Sequence, residues 1–158
     1  MALKSSKEKI YLTKESFQQY KDRLKFLQEV ARPQVIEEIK EARGQGDLSE
    51  NAEYDSARDK QAAIENEINE IQHILDNYEI IKSTNTNVVK IGSKVQIISL
   101  TNDNIQEVTI VGSLDADPFS GKISNTSALA KALLDKEVNS IIEVEAPKKY
   151  KVKILSIK

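Results

Sequence analysis

The feature that most constrains the fold is an apolar repeat whose members are spaced alternately three and four residues apart. Its longer run covers over three heptads and consists of Tyr54, Ala57, Gln61, Ile64, Ile68, Ile71, Leu75 and Tyr78. Earlier in the chain the same spacing joins Phe17, Tyr20, Leu24, Leu27 and Ala31, and it resumes beyond Pro33 at Ile36 and Ile39. Each run has the a/d seam of a coiled-coil helix.

The two runs fit an antiparallel hairpin that folds about residue 48 or 49 and places Leu27 opposite Ile71. The first arm has roughly 27 residues, so at about 1.5 Å per residue it would be on the order of 40 Å long. The turn is then expected to lie far from any globular body.

The arm also carries signals for where its helices begin and end. Thr13 is a good N-cap for the first helix. Pro33 removes a backbone donor and clashes with the preceding turn, which predicts a kink or brief break between Ala31 and Pro33. Gly44 and Gly46 tolerate the left-handed conformation of a helix C-terminus and should end this helix.

The turn itself is acidic, and it has two interpretations. Asp47-Leu48-Ser49-Glu50 has the spacing of a capping box, in which Asp47 and Glu50 would satisfy free backbone amides, with Ser49 as a competing cap. Equally, the two carboxylates could present the hard oxygen ligands that Mg²⁺ accepts. Two carboxylates alone make a poor Mg²⁺ site, so the turn would be half of a site that another molecule completes.

Composition excludes several other functions. There is no cysteine, which removes disulfides, thiolate catalysis and Cys-based zinc sites. His73 lies off the heptad seam and is expected to be a solvated helix residue. No run of about 18 apolar residues and no secretory leader is present, which predicts a cytoplasmic protein without a membrane partner.

Charge gives no sign of a protein that binds duplex nucleic acid by itself. The net charge is −2, divided as −4 over residues 1–82 and +2 over residues 83–158. Neither half provides the dense basic face that such binding usually needs. A nucleic-acid machine as a protein partner remains possible.

The pattern changes after the polar stretch 83–87, which we interpret as a linker between an arm of residues 1–82 and a second domain of residues 83–158. The expected elements are strands at 94–100 and 106–111, a surface loop at 115–122, a helix at 128–134 capped by Ser127 or Thr126, and a hairpin of 140–145 with 150–157. Four strands and one helix predict a small α+β domain. The fold class is therefore α+β, with a long N-terminal helical hairpin.

A long motif resembles the signature of the bacterial Gre transcript cleavage factors, and their GreA branch more than their GreB branch. It runs from Glu41 through Tyr54 and continues at Ala57-Arg58 and Gln61. Further matches are Arg32-Pro33, Ile123-Ser124 and the stretch 127–134, so that the resemblance covers nearly the whole chain.

The resemblance implies a coiled coil that enters the secondary channel of RNA polymerase, and a C-terminal domain of FKBP-like fold that docks outside. In that family two tip acids, which correspond to Asp47 and Glu50, help hold a Mg²⁺ ion of the polymerase at the 3′ end of backtracked RNA. Such an ion activates water and offsets charge on the scissile phosphate. The factor is then a cofactor of cleavage and not an enzyme, it acts as a monomer, and it does not bind Mg²⁺ stably by itself. Arg43 and Arg58 match positions of a basic patch near RNA, although both could also be ordinary solvated arginines.

Three departures from the family pattern concern the second domain. Ala128 stands where the family usually has proline, Asp135 where it usually has glycine, and Pro147-Lys148-Lys149 where a glycine-containing turn is common. Two other functions stay open: a channel-binding transcription inhibitor of the same architecture, and a coiled-coil adaptor without a role in cleavage. Inhibitory relatives alter the acidic tip, whereas the tip here is intact.

Overall fold

The computed structural model describes residues 9–44, 48–82 and 87–158, and for residues 48–51 it describes the backbone alone. The chain divides into two compact units. One is Phe17–Asn77, and in the other residues 9–16 join Tyr78–Lys158. None of the helices in the described part of the chain is long and apolar enough to cross a membrane.

The first unit is the predicted helical hairpin. Its helices are α1 (Lys14–Phe26), a π-helical segment (Leu27–Ala31), α2 (Arg32–Gly44) and α3 (Leu48–Asp76). The buried residues along the seam are Leu27, Val35, Ile64, Ile68 and Ile71. Burial of these apolar side chains between the arms stabilises helices whose outer faces are polar.

The start of α1 agrees with the sequence, and the irregularity predicted near Pro33 is present as a π-helical segment and not as a break in the helix. The Oγ1 atom of Thr13 accepts a hydrogen bond from the Ser16 N–H at 3.1 Å, as an N-cap does. Ahead of Pro33 the helix widens, and the Arg32 N–H donates to the Leu27 carbonyl five residues earlier. Proline cannot donate a backbone hydrogen bond, and this wider turn accommodates it without ending the helix.

The predicted seam is wrong at Ile36, which is 38% exposed, whereas Val35 is fully buried. A π-helical turn closes with i→i+5 bonds and therefore holds about one residue more than an α-helical turn. The residues facing α3 consequently follow one another at intervals of four, as Leu27, Ala31, Val35 and Ile39. A strict 3-4 repeat carried across Pro33 misses this shift.

Ion pairs between the arms fit the antiparallel pairing. Arg32 binds Glu65 through two hydrogen bonds of 2.7 and 2.9 Å. Lys60 contacts both carboxylate oxygens of Glu38, at 2.9 and 3.1 Å. Exposed pairs contribute little stability individually, but a two-point contact between planar groups fixes their geometry.

The seam is also wrong at Tyr78. Helix α3 ends at Asp76, and the Asn77 side-chain amide donates to the His73 carbonyl at 2.8 Å, which satisfies a free acceptor of the last turn. Tyr78 begins the strand β2 (Tyr78–Ile80), which pairs in parallel with β1 (Ile10–Leu12). His73 is exposed, as expected.

The second unit contains a five-stranded sheet in the order β5-β4-β3-β7-β6. Its elements are β3 (Lys94–Ser99), β4 (Ile105–Val111), β5 (Lys122–Ser124), α4 (Ala128–Leu133), β6 (Ile141–Val144) and β7 (Tyr150–Ile157). The four predicted strands and the helix are present, and Ser127 caps α4 by accepting from the Ala130 N–H at 3.2 Å. The fold class predicted from sequence is confirmed.

The count of four strands is wrong, because the predicted surface loop leads into a fifth strand. Residues 113–120 form two short 3₁₀ turns, and β5 then pairs in parallel with β4. Three residues are too short to show the alternation by which strands are recognised in a sequence.

Residues 9–16 are held against this unit at Gly112. A Cβ atom added to Gly112 would overlap the Tyr11 carbonyl oxygen, so the strand β1 approaches as closely as a glycine allows. The Asp115 carboxylate accepts hydrogen bonds from the Thr13 N–H, at 3.2 Å, and from the Ser16 hydroxyl. The proposed linker falls largely on residues 83–86, outside the described chain, and the domain boundary stays a prediction.

Candidate functional site at the hairpin tip

The candidate site lies where α2 ends at Gly44 and α3 begins at Leu48. Glu50 is the third residue of α3, in the first turn, where the helix dipole favours a carboxylate. Asp47 and Gly46 lie outside the described residues, as does the side chain of Glu50. The capping and metal-ligand interpretations of the two acids therefore both stay predictions.

The described side chains nearest the tip include a contact between the two arms. Arg43, in the last turn of α2, places its guanidinium carbon 5.7 Å from the centre of the Tyr54 ring. The Arg43 Nη2 atom also donates a long hydrogen bond of 3.4 Å to the Tyr54 hydroxyl. This distance to the ring is within the range of a cation–π contact.

Arg58 belongs to the same surface as Tyr54. The two residues are four apart on α3, so their side chains lie on one face of the helix. The pKa of Tyr54 lies below its ordinary value, chiefly because Arg43 donates to the hydroxyl; burial and Asp55 oppose this, and the charges of Arg43 and Arg58 add to it. The structure thus places both predicted RNA-contact arginines near one tyrosine.

A groove near the tip region has an acidic character. Carboxylates of Glu38, Glu41 and Glu53 line it, together with Lys60, which binds Glu38. Among the side chains that the structure describes, no group of three His, Asp or Glu residues could hold a metal ion. Carboxylates suit Mg²⁺, yet two of them are too few to hold it, so a site made of Asp47, Glu50 and ligands from a partner stays a prediction.

Sequence reasoning missed the role of Tyr54. Tyr54 appeared as the first residue of the heptad seam and as the last residue of the motif that begins at Glu41, and neither pattern indicated that it is half-exposed and in contact with Arg43. The signal that could have found it is the spacing of an aromatic residue four positions before Arg58, in a hairpin whose pairing brings Arg43 alongside.

Two family models match consecutive parts of the chain. "Transcription elongation factor, N-terminal" matches residues 10–80, and "Transcription elongation factor, GreA/GreB, C-term" matches residues 83–158. The chain belongs to the GreA/GreB family of transcription elongation factors, as the resemblance implied.

Relatives within the family are similar over almost the full length. The transcription elongation factor GreA of Metamycoplasma arthritidis is 66% identical over 157 residues, which cover 97% of this chain and 98% of the relative. GreA of Mycoplasma mycoides subsp. mycoides SC is 48% identical over 157 residues, covering 97% and 99%. A crystal structure of GreA factor homolog 1 from Thermus thermophilus has a TM-score of 0.44 and 22% identity, covering 96% of this chain and 99% of that one.

Proposed function

We propose that this elongation factor inserts its hairpin tip into the secondary channel of bacterial RNA polymerase and stimulates the polymerase to cleave backtracked RNA near its 3′ end. The protein is then a cofactor of the cleavage and not the nuclease, and its partners are the polymerase and the nascent RNA. The observation that carries the proposal is that α2 ends at Gly44 and α3 begins at Leu48, so that the intact acidic motif coincides in the sequence with the connection between the two arms.

Asp47 and Glu50 would act as Mg²⁺ ligands, and the polymerase and the RNA phosphate would supply the remaining oxygens. A Mg²⁺ ion bound in this way lowers the pKa of a water molecule and offsets charge on the phosphate. The tip carboxylates would thus add ligands to those of the polymerase and the RNA, and the free factor would need no stable metal site.

Other parts of the molecule would bind the RNA and hold the factor on the polymerase. Arg43 and Arg58 would contact RNA phosphates through their guanidinium groups, which present several donors in a fixed plane. The second unit would dock a monomer of the factor outside the channel. An inhibitor or an adaptor of the same architecture would not need these carboxylates.

The test is 3′ cleavage of RNA in a purified backtracked complex, measured across a Mg²⁺ titration. Asp47→Asn keeps a good N-cap and removes the anionic ligand, and Glu50→Gln keeps the capping-box geometry and removes a charge. Both variants should fold and bind polymerase, cleave slowly at limiting Mg²⁺ and recover partly at high Mg²⁺. Asp59→Asn, which removes a charge from an exposed position of the same helix, is the matched control and should cleave like the wild type.

Two outcomes would favour the other candidate functions, and a third would exclude the metal-ligand role of the turn. If the wild type blocks nucleotide addition and does not shorten the RNA, the protein is an inhibitor. If it binds without either effect, it is an adaptor. If Asp47→Asn cleaves at the wild-type rate at limiting Mg²⁺, the turn is a structural cap and the metal-ligand role is wrong.

A further inference from the structure

We propose that Tyr54 is a positioning residue of the RNA-contact patch, which holds the Arg43 guanidinium so that Arg43 and Arg58 can bind one phosphodiester segment together. The proposal rests on the proposed function, since it assigns a role to a residue beside the two arginines. It adds an aromatic side chain to a patch that sequence reasoning built from arginines alone.

The side chains of Arg43 and Tyr54 form a contact between the two arms. Arg43 and Tyr54 come from different helices, on either side of the turn, and they meet both through the ring and through the hydroxyl. An arginine side chain at an exposed helix end has many rotamers, and two points of contact restrict them. Tyrosine has only two such torsions, so it is the more rigid partner and the natural support.

Two guanidinium groups contribute positive charge near Tyr54. Tyr54 accepts from Arg43 and lies one helical turn before Arg58, so both cations lie on the side of the hairpin that carries the tyrosine. The Arg58 Nη1 atom donates to Gln61 Oε1 at 3.3 Å, which leaves further donors of its guanidinium in this exposed position. Two guanidinium groups held near each other match the repeated negative charge of an RNA backbone.

A simpler interpretation is that the Arg43–Tyr54 contact only fastens the arms together. The chain offers a matched control for this, because Arg32 and Glu65 also join the arms, through shorter hydrogen bonds and at a distance from the tip. If fastening is all that matters, Arg32→Ala should affect cleavage at least as strongly as Tyr54→Phe does.

The first experiment tests the contact in solution with the full chain. Tyrosine Cζ resonances are followed by NMR as the pH is raised, with Tyr54→Phe used for assignment. The pKa of Tyr54 should lie below the ordinary value for tyrosine in the wild type and should rise in Arg43→Ala, because Arg43 no longer donates to the hydroxyl. An unchanged Tyr54 titration in Arg43→Ala would show that the contact is absent, and the proposal would be wrong.

The second experiment measures two quantities in the backtracked complex: the maximal cleavage rate, and the factor concentration for half-maximal cleavage, which reports binding. Tyr54→Phe keeps the ring and removes the hydroxyl. Its maximal cleavage rate at saturating factor should fall by about two- to tenfold, the range expected when one hydrogen bond is lost. The factor concentration for half-maximal cleavage should stay unchanged, and Arg32→Ala should behave like the wild type in both measurements.

A double substitution provides the decisive comparison. If Tyr54 acts through Arg43, the variant with Tyr54→Phe and Arg43→Ala should be no slower than Arg43→Ala alone. Additive losses, or a wild-type maximal rate in Tyr54→Phe, would overturn the positioning role. A wild-type protein that does not stimulate cleavage would instead overturn the proposed function, so the two failures are distinguishable.

Discussion

Asp135 shows how one residue can replace the glycine that is usual at its position. Its φ angle is 66°, in the left-handed region, immediately after α4 and Leu134. That conformation costs most residues roughly 1–2 kcal/mol, and aspartate is among those that tolerate it best. The Asp135 N–H donates to the Val89 carbonyl at 2.9 Å, and the carboxylate pairs with Lys90 at 2.6 Å.

Substitution of Asp135 tests this account. Asp135→Gly should leave the free energy of unfolding within about 1 kcal/mol of the wild type, because relief of backbone strain offsets the loss of an exposed ion pair. Asp135→Val should lower it by about 2 kcal/mol, since a β-branched residue fits this conformation poorly. Urea unfolding of the second unit measures both. Equal stability of the valine and glycine variants would show that the left-handed conformation is not maintained in solution.

At the scale of elements, the hairpin depends on pairs of groups that titrate. Arg32 donates to Glu65 and Arg23 to Glu67, and these hydrogen bonds hold the pKa of each carboxyl below its ordinary value of 4.5. A carboxyl with a lower pKa in the folded state contributes stability above its unfolded pKa. That contribution is lost as the pH falls through the folded pKa.

The melting temperature of the hairpin should therefore decrease as the pH falls below about 4.5. A variant with Glu65→Gln and Glu67→Gln should show a smaller decrease, because it has lost the two carboxyl groups whose pKa values change on folding. Helicity by circular dichroism, measured as a function of temperature and pH, gives the comparison, with Glu70→Gln as the exposed control. Identical pH profiles for the double variant and the wild type would contradict this explanation.

The elements also show which parts of the fold the sequence could predict. The sequence predicts the long periodic helices, the caps at Thr13 and Ser127 and the alternating strands, because local chemistry determines these features. The burial of Val35 in place of Ile36 could not be predicted, since the π-helical turn changes the helical period at one place only. The strands β1 and β2 are three residues each and gain their structure from pairing with each other across the length of the hairpin.

The candidate site was predictable in a different way. Its carboxylates and arginines were found through the motif around the turn, because residue type and spacing are what the proposed chemistry requires. The contact of Tyr54 with Arg43 was not found through the motif, because it follows from the pairing of the two arms and not from the spacing within either arm.

At the scale of the whole molecule, the proposed function assigns different roles to the two units, in a division in which the tip acts on the RNA and the second unit docks on the polymerase. Gly112 allows the division to be tested in the full chain. Gly112→Ala forces the added methyl group against the Tyr11 carbonyl, which should loosen β1 from the rest of the second unit without changing a residue of the hairpin. The factor concentration for half-maximal cleavage should then rise, whereas the maximal rate at saturation should not change.

Asp47→Asn should do the reverse, with a lower maximal rate and an unchanged half-saturating concentration. Hydrogen exchange confirms that Gly112→Ala acts where intended, through faster exchange of the amides in β1 and β2. Gly44→Ala is the control for stability, because its added methyl group would meet no atom within 4 Å. If β1 and β2 exchange faster in Gly112→Ala while the half-saturating concentration stays at the wild-type value, the second unit is not the part that docks, and the affinity must come from the hairpin.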